Sequence, residues 1–291
     1  MAKLKDIQRK IAAVKKTMQI TRAMNMVAAA KLRKVQAQAE NFVPYSKKFT
    51  EVLGNIAARI EPDIHPLLIK REEIKRCQLL LFTADRGLCG NFNTNLINRA
   101  EKWIKEQEDK GIRCDLIIVG KKGRDYFEKR DYNIVERYVN IYGKVDMRFI
   151  NQLTEKFTNS FITEEVDEVY MMYSRFVSML RQEPVIVKII PVEPPKTEAE
   201  ASVGGEYLCE PSPEELLVQL LPKHINVQIM NAFFQNETSE HAARMTAMDN
   251  ATKNCSELIN DLTLLYNKVR QAAITAELMD IVGGAEALRK V

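Results

Sequence analysis

The stretch Thr83-Ala84-Asp85-Arg86-Gly87-Leu88-Cys89-Gly90-Asn91 is the most chemistry-like run in this chain of 291 residues. It places an acid, a base, a thiol and two glycines between an apolar run and a helical pattern. A glycine-containing turn at a helix start can hold a phosphate, and a thiol there can be acidified. The run has neither the dinucleotide fingerprint nor the Gly-Lys-Ser/Thr phosphate loop. A tight strand-to-helix turn and a buried Cys89 are therefore the preferred readings. His65, His224 and His241 lie far apart in sequence, and Cys77, Cys89, Cys114, Cys209 and Cys255 form no close pair and no metal spacing. No catalytic residue, metal site or cofactor is expected, and the pattern speaks against an enzyme acting alone. The scattered thiols and the absence of a secretory signal suggest a reducing compartment.

Charge is the second signal. Residues 1–40 carry ten Lys/Arg against Asp6 and Glu40, a local charge of +8 within a chain whose total is +4. Such a face could neutralise nucleic-acid phosphates, lie on an acidic membrane, meet an acidic protein, or simply be solvated. Residues 1–41 contain no aromatic for base stacking, which weakens the single-stranded nucleic-acid option. Lysine dominates over arginine and serine is absent before Ser46, unlike a transit peptide. The segment therefore reads as part of the mature structure. The chain is 46% hydrophobic, which excludes disorder, yet no apolar run approaches the ~20 residues needed to cross a bilayer.

These residues must be positioned by two kinds of element. Residues 1–43 and 223–282 contain neither glycine nor proline, the marks of two long helical ends around a loop-rich middle. At the first end Leu4, Ile7, Ile11, Val14, Met18, Thr21, Asn25, Ala28, Leu32, Val35, Ala39 and Phe42 fall in successive a and d positions. At the second, Met248, Ala251, Cys255, Leu258, Leu262, Leu265, Val269, Ala272, Ala276 and Met279 do the same. A 3.5-residue repeat specifies a left-handed coiled coil. Connectivity makes the pair antiparallel, with helices of roughly 60 Å and 90 Å or more. Kinks are expected at Pro44 and Pro222. Asn25 is expected to set register and Thr21 to do nothing specific. The longer helix should project alone at an apolar tip (Ala276, Leu278, Met279, Ile281, Val282), which implies a sleeve around it.

The middle reads as α/β. Buried strands are expected at Cys77–Thr83, Cys114–Gly120 and Val185–Val192, with further strands at Ile134–Val139 and Val169–Phe176. Helices are expected at about Asn91–Lys110, Lys122–Arg130 and Asp146–Thr163, and a flexible connection at Glu193–Glu206. The alternation favours a mainly parallel, Rossmann-like sheet. The expected organisation is an N-terminal coiled-coil helix (1–60), a central α/β domain (74–210) and a C-terminal coiled-coil helix (212–291).

The segments KKTMQITRAMNMVAAAKLRK (Lys15–Lys34), SEHAARMTAMDN (Ser239–Asn250), YNKVRQAAITAE (Tyr266–Glu277) and IVGGA (Ile281–Ala285), with DRGLCG and YLCEP between, resemble the gamma subunits of F-type ATP synthase. The resemblance implies a central rotary shaft inside a ring of alpha and beta subunits. Its foot would stand on epsilon and the c-ring, and ATP would be made in the ring. It implies beta-subunit contacts at Met24, Arg244, Gln271, Thr275 and Glu277, and a c-ring or epsilon contact at Tyr207. It also implies a peripheral place on the cytoplasmic face of a bacterial inner membrane, with no nucleic-acid partner. The paired cysteines of thiol-regulated photosynthetic relatives are missing, so redox switching is not expected. The competing expectation is a basic coiled-coil adaptor for nucleic acid or an acidic protein.

Overall fold

A computed structural model describes residues 2–58, 60, 64–193, 209, 210 and 212–289, with side chains only within residues 4–285. Ten main elements follow in chain order: α1 (Ala2–Ala57), β1 (Arg76–Phe82), α2 (Phe92–Glu108), β2 (Arg113–Val119), α3 (Lys121–Phe127), β3 (Asn133–Tyr138), α4 (Met147–Ile162), β4 (Glu168–Phe176), β5 (Gln182–Ile190) and α5 (Pro213–Arg289). A short 3-10 turn occupies Pro66–Leu68. Pro44 and Pro222 both lie inside their helices. Two compact units result: residues 1–28 with 245–291, and residues 29–244.

In the first unit, α1 and α5 run antiparallel, since partners rise in number along one helix as they fall along the other. Gln8 Nε2 donates to the Tyr266 hydroxyl at 2.8 Å, Thr21 and Thr252 hydroxyls meet at 2.8 Å, and Asn25 Nδ2 donates to the Met245 carbonyl at 2.9 Å. The α1 seam keeps the expected positions: Leu4, Ile7, Ile11, Val14, Met18, Thr21, Asn25 and Ala28 are all buried or half-buried.

The α5 seam needs a correction. One column, Met248, Cys255, Leu262 and Val269, stands as expected, and so does Ala251, but the second column is otherwise carried by Thr252, Ile259, Tyr266 and Ala273, while Ala272, Ala276 and Met279 are exposed. Leu258 and Leu265, expected inside, are each 46% exposed. Both columns repeat every seven residues, so period alone cannot separate them. Greasiness favoured the leucines. Cross-helix hydrogen bonds instead place the polar Thr252 and Tyr266 in the seam. Thr21 has a specific role after all, as the partner of Thr252.

The second unit is built on a sheet of order β3-β2-β1-β4-β5, parallel except for antiparallel β5. All five expected strands and all three expected middle helices are present. Alternation divides the central strands between two cores. Leu79, Leu81, Leu116 and Ile118 pack with α2 and α3. Leu80, Phe82, Ile117 and Val119 pack with α4, the end of α1 and the start of α5. Over residues 217–242, α5 is buried on most sides, so this half serves a globular core and carries no narrow seam. Its start follows the rules for helix entry: Pro213 is first, and the Ser212 hydroxyl accepts the Glu215 N–H at 3.2 Å. The connection expected at Glu193–Glu206 lies, after its first residue, outside the described residues.

Where β1 ends, side chains of α5 continue the ladder for β4. Asn236 Oδ1 accepts the Ser174 N–H at 3.1 Å, the Ser239 hydroxyl donates to the Ser174 carbonyl at 2.9 Å, and Gln235 Oε1 accepts the Phe176 N–H at 3.0 Å. Buried backbone groups that lack a strand partner must be satisfied this way.

Candidate functional site

The turn that follows β1 is held by its own side chains. The Thr83 N–H donates to the Val119 carbonyl at 2.7 Å, and the Thr83 hydroxyl accepts the Gly123 N–H at 2.9 Å. Gly120 lies against it with φ +103°, and a Cβ there would stand 2.0 Å from the Thr83 carbonyl oxygen, so only glycine fits. Asp85 Oδ1 accepts two backbone N–H groups, from Lys121 and Asn140, each at 3.0 Å. Its carboxylate ties three loops together. Asn93 Oδ1 accepts the Ala84 N–H at 2.9 Å, and its amide nitrogen donates to Cys89 Sγ at 3.2 Å. Burial pushes the Cys89 thiol up, the opposite of an activated nucleophile. The structural reading of DRGLCG accounts for every one of these contacts.

Arg244 comes to the same turn from α5. Its guanidinium pairs with Glu240 at 2.8 Å and donates to the Arg86 and Gly87 carbonyls at 3.3 Å each. Both side chains of the pair are nearly buried. Beneath, the Tyr142 hydroxyl donates to the Thr83 carbonyl at 2.7 Å and accepts from Asn236 Nδ2 at 3.0 Å. Burial of the hydroxyl end pushes this phenol well above its ordinary range. A cleft of about 770 Å³ opens beside these residues, lined by Lys31, Lys34, Arg86 and Lys144, by Asp85 and Glu237, and by apolar groups such as Phe233 and Phe234. It offers charge complementarity, and the site gathers no nucleophile with a base. Among the described residues no three His, Cys, Asp or Glu could hold a metal ion.

The remaining sequence-predicted site residues are dispersed. Met24 is half-buried on α1, beside Asn25, while Gln271, Thr275 and Glu277 are exposed on α5. Thr275 donates its hydroxyl to the Gln271 carbonyl one turn back, at 3.0 Å. Tyr207 lies outside the described residues. The three histidines are separate: His65 Nδ1 accepts the Leu67 N–H at 3.1 Å, His224 stacks on Phe49, and His241 lies 3.6 Å from Glu237. Sequence inspection missed Glu240 and Asn236, the partners that hold Arg244 and Tyr142. The available signal was i,i+4 spacing from Glu240 to Arg244 inside SEHAARMT.

The apolar band on α5 completes the picture. Leu258, Leu264, Leu265, Ile274, Leu278, Met279, Ile281 and Val282 are each exposed by at least 46%. Among the described residues the last cross-helix hydrogen bond, at Tyr266, engages Gln8 near the start of α1, so α5 runs on past the end of its partner.

A family model described as ATP synthase matches residues 3–288. The ATP synthase gamma chain of Syntrophobacter fumaroxidans is 51% identical over 292 residues, covering 100% of each chain. That of Syntrophus aciditrophicus is 49% identical with the same coverage. The chain belongs to the ATP synthase gamma-chain family. Among solved structures, a chain of the Euglena gracilis mitochondrial ATP synthase (OSCP/F1/c-ring, rotational state 3) shares the fold with a TM-score of 0.68 at 22% identity, covering 99% of this chain and 95% of that one. A chain from the Euglena rotor in rotational state 1 gives 0.64 at 22% identity, covering 94% and 99%. As a gamma chain it is a non-catalytic stalk subunit, and the cleft and turn are read in that light. Among the described residues no helix is long and apolar enough to cross a membrane.

Proposed function

We propose that the chain turns as the central shaft of a proton-translocating ATP synthase, with α1 and α5 inside a ring of alternating alpha and beta subunits and the α/β unit toward epsilon and the c-ring. The observation that carries this reading is the uncovered apolar band of α5. A helix end so greasy is unstable in water and calls for a surrounding sleeve. An off-axis pair of helices presents a different surface to each of three identical sites, so their nucleotide affinities must differ at any moment. Rotation can transmit energy only through contacts that change with angle.

The basic face of α1 supplies one such contact. Lys15, Lys16, Arg22, Lys31, Arg33 and Lys34 are exposed, and with Met24 they would meet an acidic lever of a beta subunit. Gln271, Thr275 and Glu277 would touch beta loops near the tip. Arg244 would do so through the turn it clamps, and Tyr207 would reach the c-ring or epsilon. The complex would hold the chain at the cytoplasmic face of a bacterial inner membrane. Co-expression with alpha and beta subunits should yield one copy per ring. Three copies, or no assembly, would count against the shaft. Met24→Lys should assemble yet pump protons poorly on ATP, and normal pumping would remove Met24 from the mechanism. The purified chain alone should hydrolyse no ATP. Steeply salt-dependent retention of nucleic acid on filters would instead favour the adaptor.

A further inference from the structure

Two cysteines that are distant in sequence stand side by side. Cys77 on β1 and Cys114 on β2 are register partners in the parallel ladder, and their sulfurs are 2.8 Å apart. Sequence spacing showed no close pair because sheet pairing, which joins residues 37 positions apart, is invisible in it. Neighbouring strands lie about 4.8 Å apart, inside the roughly 4.4–6.8 Å Cα range of a disulfide. The sulfurs need approach by only about 0.8 Å to bond. Both thiols are free, Cys77 is fully buried, and Cys114 is 8% exposed at the margin of the same apolar cluster.

We propose that Cys77 and Cys114 are an oxidisable thiol pair that hydrogen peroxide closes to a reversible disulfide, stapling β1 to β2. Cys114, the more accessible sulfur, attacks the peroxide; the O–O bond breaks, Cys114 becomes a sulfenic acid and one water leaves. Cys77 sulfur then attacks Cys114 Sγ, the S–S bond forms, and the hydroxyl departs with the Cys77 proton as a second water. Two thiols are oxidised and one peroxide is reduced to two waters. The hydrogen bond to Cys114, together with burial, pushes the Cys77 thiol far up, so it waits protonated and acts as the resolving partner. Cys89 is held differently, engaged by Asn93 and the Arg86 carbonyl.

The chain also carries its own reporter. Trp103, its one tryptophan, packs in the same cluster and lies 4.8 Å from Tyr170. The full-length reduced chain would be treated with hydrogen peroxide and then denatured and alkylated. The free-thiol count should fall from five to three, with a Cys77–Cys114 linked peptide that dithiothreitol removes. Trp103 emission should drop and recover with the reductant. A Cys89→Ser/Cys255→Ser variant should still lose two thiols, and Cys114→Ser should lose the linked peptide. Retention of all five thiols in the folded wild-type chain would overturn the proposal. So would linkage through other cysteines, or oxidation that dithiothreitol cannot reverse. The wild-type peptide map decides the matter even if a variant fails to fold.

Discussion

Arg244 and Glu240 form an ion pair at 2.8 Å with side chains only 12% and 7% exposed. Removing one partner strands the other charge away from water, which costs about 3–5 kcal/mol for buried pairs. Arg244→Ala should therefore lower the urea-unfolding free energy of the α/β unit by about 3 kcal/mol. Adding Glu240→Gln should return part of that loss, since the stranded charge is then gone. Equal stability of Arg244→Ala and wild type would mean that the pair is effectively solvated. A second residue sets a pH response. Burial pulls His224 down to about 4, below the ordinary value near 6.5, so the unfolded chain binds the proton more tightly. The stabilisation is complete above about pH 6.5 and declines as pH falls toward about 4, at up to roughly 1.4 kcal/mol per pH unit. Urea midpoints at pH 7.5 and pH 5 should differ by more in the wild type than in His224→Leu.

At the scale of elements, the phase of the α5 seam is the sharpest issue. Ile259 is half-buried in the seam while Leu258 is 46% exposed beside it. Ile259→Ala should cost about 2 kcal/mol, the low end for large-to-small core changes, and Leu258→Ala under about 0.5 kcal/mol. Amide hydrogen exchange across residues 245–273 would separate them, and equal effects would restore the sequence-based register. This is also where legibility in the sequence ended. Strands and helices of the middle were readable because continuous apolar runs and glycine breaks are local signals. The α1 seam was readable because its apolar columns run on from Leu4 to Phe42, whereas the competing Ala13, Ile20 and Val27 stop at Asp6 and Lys34. The α5 seam was not, because two columns seven residues apart in repeat fit equally and only the cross-helix hydrogen bonds of Thr252 and Tyr266 decide between them. In the site, the DRGLCG turn was visible as a turn. Its anchors, Asn140, Tyr142 and Arg244, come from distant segments that only the tertiary fold brings to Asp85, Thr83 and the Arg86 and Gly87 carbonyls.

For the whole molecule, stability and function make opposite demands on the tip of α5. Leu278, Met279, Ile281 and Val282 are 57–68% exposed, so they contribute little to folding of the isolated chain. In the complex proposed above, such residues would have a neighbour. A Leu278→Asp/Ile281→Asp pair should then change the unfolding free energy of the isolated chain by no more than about 0.5 kcal/mol, as surface substitutions do. Inside a dry collar each new carboxylate would lose its water without a partner, a penalty of several kcal/mol. The same variant should therefore fold and keep its helicity by circular dichroism, yet incorporate into the ring poorly or turn with weakened coupling, read as reduced ATP-driven proton pumping. Wild-type pumping by a stably assembled double variant would mean that the tip stays wet within the complex, and the uncovered band would need another explanation. Loss of helicity in the free chain would place those side chains in a self-association that buries them before assembly.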